Sequence, residues 1–377
     1  MLNFTQNRLY NLMLLALTVV CWADNDESST QLVVSGYIKN LNLYAIHTNG
    51  HGSVKPSLTG SDLNRIRLKS SLNFGTYWHS EIWLDNEFEQ GTMSSNVNDQ
   101  NGWFNMNWRL IEGDSYNLQQ SLPRALLTLE TDLWTIVVGR QRIAWGTGFI
   151  WNPTDLLNPV NPLAIEWAER SATNALYVSR AIGELSQAEL VVAYNDDRPN
   201  FATRFGSNWG NYDFSVLVGR FGLNKTVGGD FAGYIGGAGF RGELIITDTD
   251  SSERQNLVRF VLNADYNFAY QIYGLIEMHY SNQKLQTNPA LKNSIANDNS
   301  NVEIAIILSK SISPPLNLSL LSLFDLKGSG MMVGPTLSFS PFDQTEFILG
   351  AYLFVGNATS QFGLLPQTAF TSVVYHF

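Results

Sequence analysis

Cysteine is almost missing: Cys21 is the only one in 377 residues. A disulfide framework is therefore excluded, and so is a metal site built on thiolates. Charge is sparse, with 15% Asp, Glu, Lys and Arg where soluble chains run near ~25%. No apolar run of about 20 residues follows the N-terminal segment, so a bundle of transmembrane helices is excluded. Disorder is excluded by what is abundant: 44% hydrophobic residues, including 10 Trp, 15 Tyr and 21 Phe. A large all-β chain remains, either a sandwich array or a barrel.

The N-terminus points to a compartment. Arg8 precedes an apolar stretch from Leu12 to Ala23, and Asp24, Asp26 and Glu27 follow at once. This order matches a secretory signal, with cleavage expected after Ala23. The stretch is too short for a membrane anchor. Thr18-Val19-Val20-Cys21 offers a lipoprotein reading, but Val20 stands where a small residue is needed. Residues 1–23 are thus expected to be a signal peptide and 24–377 a single domain. Loss of Arg8 makes the mature chain one unit more acidic than the full-length value of -10.

From Leu32 to Phe377 the chain alternates apolar and polar residues in segments of about ten, as lipid-facing and lumen-facing positions of a membrane barrel do. Ile66, Leu68, Leu72 and Phe74 fall on one face, and Arg65, Arg67, Lys69, Ser71 and Asn73 on the other. Val258, Phe260 and Leu262 alternate with Arg259, Val261 and Asn263 in the same way. A sandwich could show this period too. Aromatics at strand ends (Trp78, Trp134, Tyr266, Phe339) and long polar connections at 89–117 and 282–300 favour the barrel. The chain ends Val373, Tyr375, Phe377 on one face, which resembles the membrane-insertion signal that the barrel assembly machinery of bacterial outer membranes recognises.

Counting segments predicts 18 strands, with 16 as the alternative because 200–208 and 226–247 are rich in glycine. The fold class is all-β, a transmembrane antiparallel β-barrel, and a ring of this size leaves an aqueous channel. Its polar face supplies the expected pore lining: Arg65, Arg67 and Lys69 on one strand, then Glu81, Asp85 and Glu87 on the next. Arg140, Arg142, Arg259, Asp265 and Glu277 complete the set. Opposed ladders of charge either set up a transverse field across the pore or pair and stiffen the wall.

One stretch breaks the rhythm. Gly139-Arg140-Gln141-Arg142 leads into Trp145-Gly146-Thr147-Gly148, and Pro153, Pro159 and Pro162 follow; proline cannot sit inside a ladder. The apolar content is too high for a solvent loop. Residues 146–170 are therefore expected to fold into the barrel as a constriction segment, carried by Trp145, Trp151, Pro153, Asp155, Asn158, Pro159 and Trp167. Gly146-Thr147-Gly148 reads as a turn needing positive φ, since neither a following helix nor a phosphate-binding lysine marks a nucleotide loop. The tryptophans beside Arg140, Arg142 and Arg170 wedge the segment or form a sugar-stacking slide. The Gly-Arg-Gln strand, the Trp-Gly-x-Gly turn and the Asn-Pro-rich insert resemble porin-type outer-membrane proteins of Gram-negative bacteria. That resemblance implies a pore and names no solute.

The expected function is a passive diffusion channel for small hydrophilic solutes or ions, monomeric or homotrimeric, in the outer membrane. Its partners would be outer-membrane lipids and the assembly machinery, without nucleic acid, cofactor or metal. The alternatives are a plugged structural or surface-binding barrel and a polymer-export component. A lipid hydrolase is the remote one: His279 and Ser281 share a face, but their parity points to the lumen, away from lipid.

Overall fold

The computed structural model describes residues 30–47, 57–91, 105–159, 161–166, 172–195, 198–248, 256–282, 301–357, 360, 362–363 and 365–377. The expected signal peptide, Trp167 and Arg170 lie outside these residues. The strands are β1 (Gln31–His47), β2 (Ser57–Phe74), β3 (Trp78–Gly91), β4 (Asn107–Glu112), β5 (Tyr116–Glu130), β6 (Trp134–Gln141), β7 (Thr173–Ile182), β8 (Ser186–Asn195), β9 (Arg198–Trp209) and β10 (Tyr212–Phe221). They continue as β11 (Asn224–Ile235), β12 (Ala238–Asp248), β13 (Leu257–Phe268), β14 (Ile272–Ser281), β15 (Asn301–Ser313), β16 (Leu316–Asp325), β17 (Gly330–Phe342), β18 (Thr345–Val355) and β19 (Gln367–His376).

Each strand pairs antiparallel with its neighbours, and β1 pairs with both β2 and β19, which closes the sheet on itself. The closing register runs from Tyr37 opposite His376 to Ile46 opposite Gln367. Below it, Gly36 N–H donates to the Phe377 carbonyl at 2.8 Å and Phe377 N–H returns the bond at 3.0 Å. Closure removes both edges, which a sheet in lipid requires. β3 pairs directly with β5, so β4 stands outside the ring and 18 strands close it. The alternative of 16 is thereby corrected. The glycine-rich 226–247 region forms regular strands joined at Gly236-Gly237, where φ values of 59° and 85° suit a two-residue hairpin.

The two faces separate as the alternation requires. Ile66, Leu68, Val216 and Val218 are exposed on the outer face, while Arg65, Arg67, Ser215 and Leu217 on the intervening positions are buried. No helix among the described residues is long and apolar enough to cross a membrane.

Two local expectations change. The connection 89–117 is not a bare loop, because β4 pairs with the upper half of β5. The inward segment expected from residue 146 begins already after Gln141, where β6 ends and Ile143 N–H is taken by Asn158 Oδ1 at 2.7 Å. Pro123 lies inside β5, but at a shift in the β3–β5 register, the kind of irregularity that tolerates a missing donor.

Candidate functional site: the barrel interior

The inward face begins with the β1–β2–β3–β5 wall. Register places Arg65 opposite Glu87 and Arg67 opposite Asp85. Arg65 pairs with Glu87, and Arg67 grips Asp85 through Nε at 2.6 Å and a terminal nitrogen at 2.5 Å. Planar guanidinium facing carboxylate across neighbouring strands gives the two-pronged pairing that arginine favours. Below them Glu81 meets Arg124 at 3.1 Å and accepts the Trp83 indole N–H at 2.6 Å. The Trp83 ring lies 4.5 Å from Lys69 Nζ and 4.2 Å from the Arg124 guanidinium. The two ladders thus pair across the strands and brace the wall.

A second charged wall lies across the barrel. Arg204 on β9 bridges Glu189 of β8 at 3.0 Å and Asp230 of β11 at 3.2 Å. Arg241 of β12 pairs with Asp265 of β13 and lies 4.9 Å from the Phe149 ring. From β13 round to β2 the inward face also carries an apolar cluster, made of Leu41, Leu63, Val261, Leu323, Met332, Tyr352 and Phe370. Nothing in the alternation distinguishes these positions from the charged ones.

The segment after β6 occupies the interior and follows this division. Ile143, Trp145 and Leu157 pack on Ala175, Val191, Ala202 and Leu217 of β7 to β10, whereas Ile150 and Trp151 join the apolar cluster on the far side. Its backbone is held by two carboxylates. Glu277 of β14, fully buried, accepts the N–H groups of Phe149, Ile150 and Trp151 at 2.7, 3.0 and 2.7 Å and Asn263 Nδ2 at 3.1 Å. Glu243 of β12 accepts Thr147 and Gly148 N–H at 2.6 Å, Thr154 N–H at 3.0 Å and the Thr154 hydroxyl at 2.7 Å. Such charge-assisted bonds to backbone donors are among the stronger hydrogen bonds a protein makes, and here they satisfy N–H groups that no ladder reaches.

Within the segment Asp155 accepts Trp145 and Gly146 N–H at 2.6 and 2.7 Å. Neither Gly146 nor Gly148 has positive φ, which corrects the expected turn. Space is what these glycines supply: a Cβ at 146 would run into the Asn152 side chain, and one at 148 into the Trp151 carbonyl oxygen. The stacking slide is likewise corrected. Trp145 is buried and donates its indole N–H to Glu189 at 2.6 Å. Trp151 is stacked on His279, with centroids 5.4 Å apart. Pro153, Asp155 and Asn158 are buried and Pro159 is exposed.

Farther on, Glu166 reaches back to the first wall. It meets Lys39 at 2.5 Å and takes both terminal nitrogens of Arg65 at 3.0 Å. Burial alone would raise its pKa, but the charges of Arg65 and Lys39 outweigh that and hold it below the ordinary glutamate value. A cavity of about 270 Å³ remains between Ile150 and Ile165 of the segment and Ile307, Leu321 and Ile348 of the wall.

Other expected pore residues are placed as follows. Arg259 faces inward between Ile245 and Ser281. Arg142 is exposed beyond the end of β6. Arg140 departs from expectation: by register it stands on the side of Ile136 and Val138, opposite Ala125 and Asn174, yet it is buried, directly after Gly139 with its φ of 123°. His279 and Ser281 are both buried, and the imidazole is taken by Glu303 at 2.7 Å and covered by Trp151. Among the described residues no group of His, Cys, Asp and Glu could hold a metal ion. Sequence reasoning missed Glu243, Glu189, Glu166 and Glu303. The first, second and fourth carry a signal all the same, an acidic residue at an inward position of a strand.

No protein-family model matches the chain, and no curated protein sequence matches it. Solved structures do. Pseudomonas aeruginosa OccK9 (OpdG) superposes with a TM-score of 0.60 at 8% identity, over 92% of this chain and 98% of that one. Acinetobacter baumannii OccAB4 gives 0.57 at 8% identity over 94% and 100%, and P. aeruginosa OccD3 (OpdP) gives 0.57 at 10% over 93% of each. At such identities the likeness concerns architecture. With a closed ring of 18 strands and an inward segment after β6, the chain has the fold of the porin-type outer-membrane β-barrels.

Proposed function

We propose that the protein is a passive diffusion channel for small hydrophilic solutes or ions in the outer membrane of a Gram-negative bacterium. The observation that carries this reading is the closed 18-strand ring with charged inward walls, because a barrel of that circumference encloses water unless something fills it. Segment 146–170 narrows the lumen in this reading. Its apolar side seals against β13 to β19, and the passage runs along the wall of Arg67, Lys69, Glu81, Asp85, Arg124 and Trp83. Arg65 and Glu87 hold that wall and anchor Glu166, while Asp265, Arg259 and the buried Glu277 support the segment from the other side.

The signal segment 1–23 directs export, and Val373, Tyr375 and Phe377 present the insertion signal to the assembly machinery. Outer-membrane lipids surround the barrel, and further copies of the chain are its candidate partners. Transport needs neither cofactor nor covalent chemistry; the burial of Ser281 and of His279 under Trp151 leaves no approach for a lipid ester.

The test is conductance of the purified barrel in planar bilayers, together with uptake of a panel of sugars, carboxylates and ions into liposomes. Discrete ohmic steps are expected, and they should grow when 146–166 is replaced by a short glycine-serine linker. A folded barrel silent in both forms sinks the channel reading and favours the plugged structural alternative.

A further inference from the structure

An apolar cavity in a protein interior stays dry, and one of about 150 Å³ already takes up benzene. The cavity between segment 146–166 and the wall is larger, about 270 Å³, and on that scale it has room for roughly two fused rings. Register shows how the wall forms it. Leu41 on β1 is opposite Ser372 on β19, which is opposite Ile348 on β18. Farther round the ring, Leu321 of β16 is opposite Ile307 of β15 on one side and Gly334 of β17 on the other. A serine and a glycine set among bulky aliphatic residues leave a recess, and Ile150 and Ile165 face it from the segment.

One polar group on this lining has nothing to bond. Ser372 is 4% exposed, and its Oγ is buried without a hydrogen-bond partner among the described residues. A buried hydroxyl left unpaired is costly, so Ser372 marks the place for a polar atom from outside the chain. That atom carries no charge. The ionic groups at the cavity, Lys39 and Glu166, meet each other at 2.5 Å, and Glu166 also holds Arg65 at 3.0 Å. A carboxylate or ammonium group would have to break these pairs to find a counter-charge. Tyr352 and Phe370 supply ring surface: both line the cavity, edge to face with centroids 5.5 Å apart, an arrangement that aromatic groups favour.

We infer that this cavity is a binding site for a neutral aromatic alcohol of about two rings. The ring system fills the recess against Tyr352 and Phe370, and the hydroxyl bonds Ser372 Oγ. Neither Arg67 nor Trp83 of the proposed passage lines the cavity. The ligand is therefore held in the seal between segment and wall and is not a hydrophilic solute in transit.

Naphthol and naphthalene differ by the hydroxyl alone and serve as probes. They are dialysed to equilibrium against the full barrel in lipid nanodiscs, with protein-free nanodiscs as the blank for partition into lipid. Saturable uptake of naphthol, one molecule per chain, is expected. Ser372→Ala should weaken naphthol binding about fivefold, the weight of one net hydrogen bond, and leave naphthalene binding unchanged. Ile348→Trp and, separately, Leu321→Phe fill the recess and should reduce uptake of both probes while the heat-modifiable gel mobility of a folded barrel is retained. No saturable naphthol uptake by the native chain overturns the inference. So does a Ser372→Ala barrel whose affinities for the two probes shift alike or stay as they were, or a folded filling variant that binds both as the native chain does. Uptake is read at equilibrium without a potential, so a barrel silent in bilayers can still bind and a conducting one can fail to.

Discussion

Glu277 and Trp151 are 126 residues apart in sequence, yet the Glu277 carboxylate accepts the Trp151 backbone N–H at 2.7 Å. With Ile150 and Phe149 on the same carboxylate, a wall strand and a connecting segment are locked into one unit. A buried anion satisfied by backbone donors makes a strong joint, and it tolerates no loss of either side.

Glu277→Ala leaves three backbone N–H groups without their acceptor and with no ladder to return to. Hydrogen bonds to charged groups are worth about 1.5–3 kcal/mol each, so local release of 146–158 is expected without loss of the barrel. Limited proteolysis in detergent should show cleavage within 146–158 in the variant only, and single-channel conductance should rise. A variant resistant to protease and unchanged in conductance would refute the anchoring role.

Trp145→Phe keeps the ring in its contact with Leu157 and Ala175 but deletes the donor to Glu189. An unsatisfied buried acceptor costs about 1–3 kcal/mol. The expected outcome is a lower unfolding midpoint in urea with an intact barrel; Trp145→Phe with wild-type stability would show that Glu189 is served by Arg204 alone.

Acidification tests Glu166. A carboxylate held below its ordinary pKa contributes stability that is complete above the unfolded value and is lost only as pH falls through the lower, folded one. The Glu166 tether to Arg65 and Lys39 should therefore persist through the ordinary glutamate range near 4.5 and open below it. Conductance recorded from pH 7 downwards is expected to change only under that range, and Glu166→Gln should show the open-tether conductance at neutral pH. A wild-type transition at or above the ordinary glutamate value would contradict this.

Removing Arg67 tests the braced wall. Arg67→Ala leaves Asp85 buried beside Glu87 with only Arg65 for both, and breaking a buried pair costs about 3–5 kcal/mol. Besides that loss in stability, the reversal potential in a salt gradient should shift towards cation preference. An unchanged reversal potential would remove this wall from the ion path.

The strands were legible in the chain because membrane and lumen impose opposite demands at every second residue. Ile66 and Arg67 could not exchange places, and 18 ring strands emerge from that rule. That a segment leaves the ladder here was legible too, since Pro153, Pro159 and Pro162 forbid one, but its expected start is 146 and it lies after Gln141. What the insert binds was not. Period two says that Glu243, Glu277 and Leu323 all face inward, but it is silent on which lie under the segment and which meet water. β4 was hidden for a related reason, because it pairs only at the edge of β5 and carries no long alternation. Local alternation depends on each residue's own surroundings and is written along the chain. Partners separated by a hundred residues or more depend on how the ring closes, which tertiary structure alone decides.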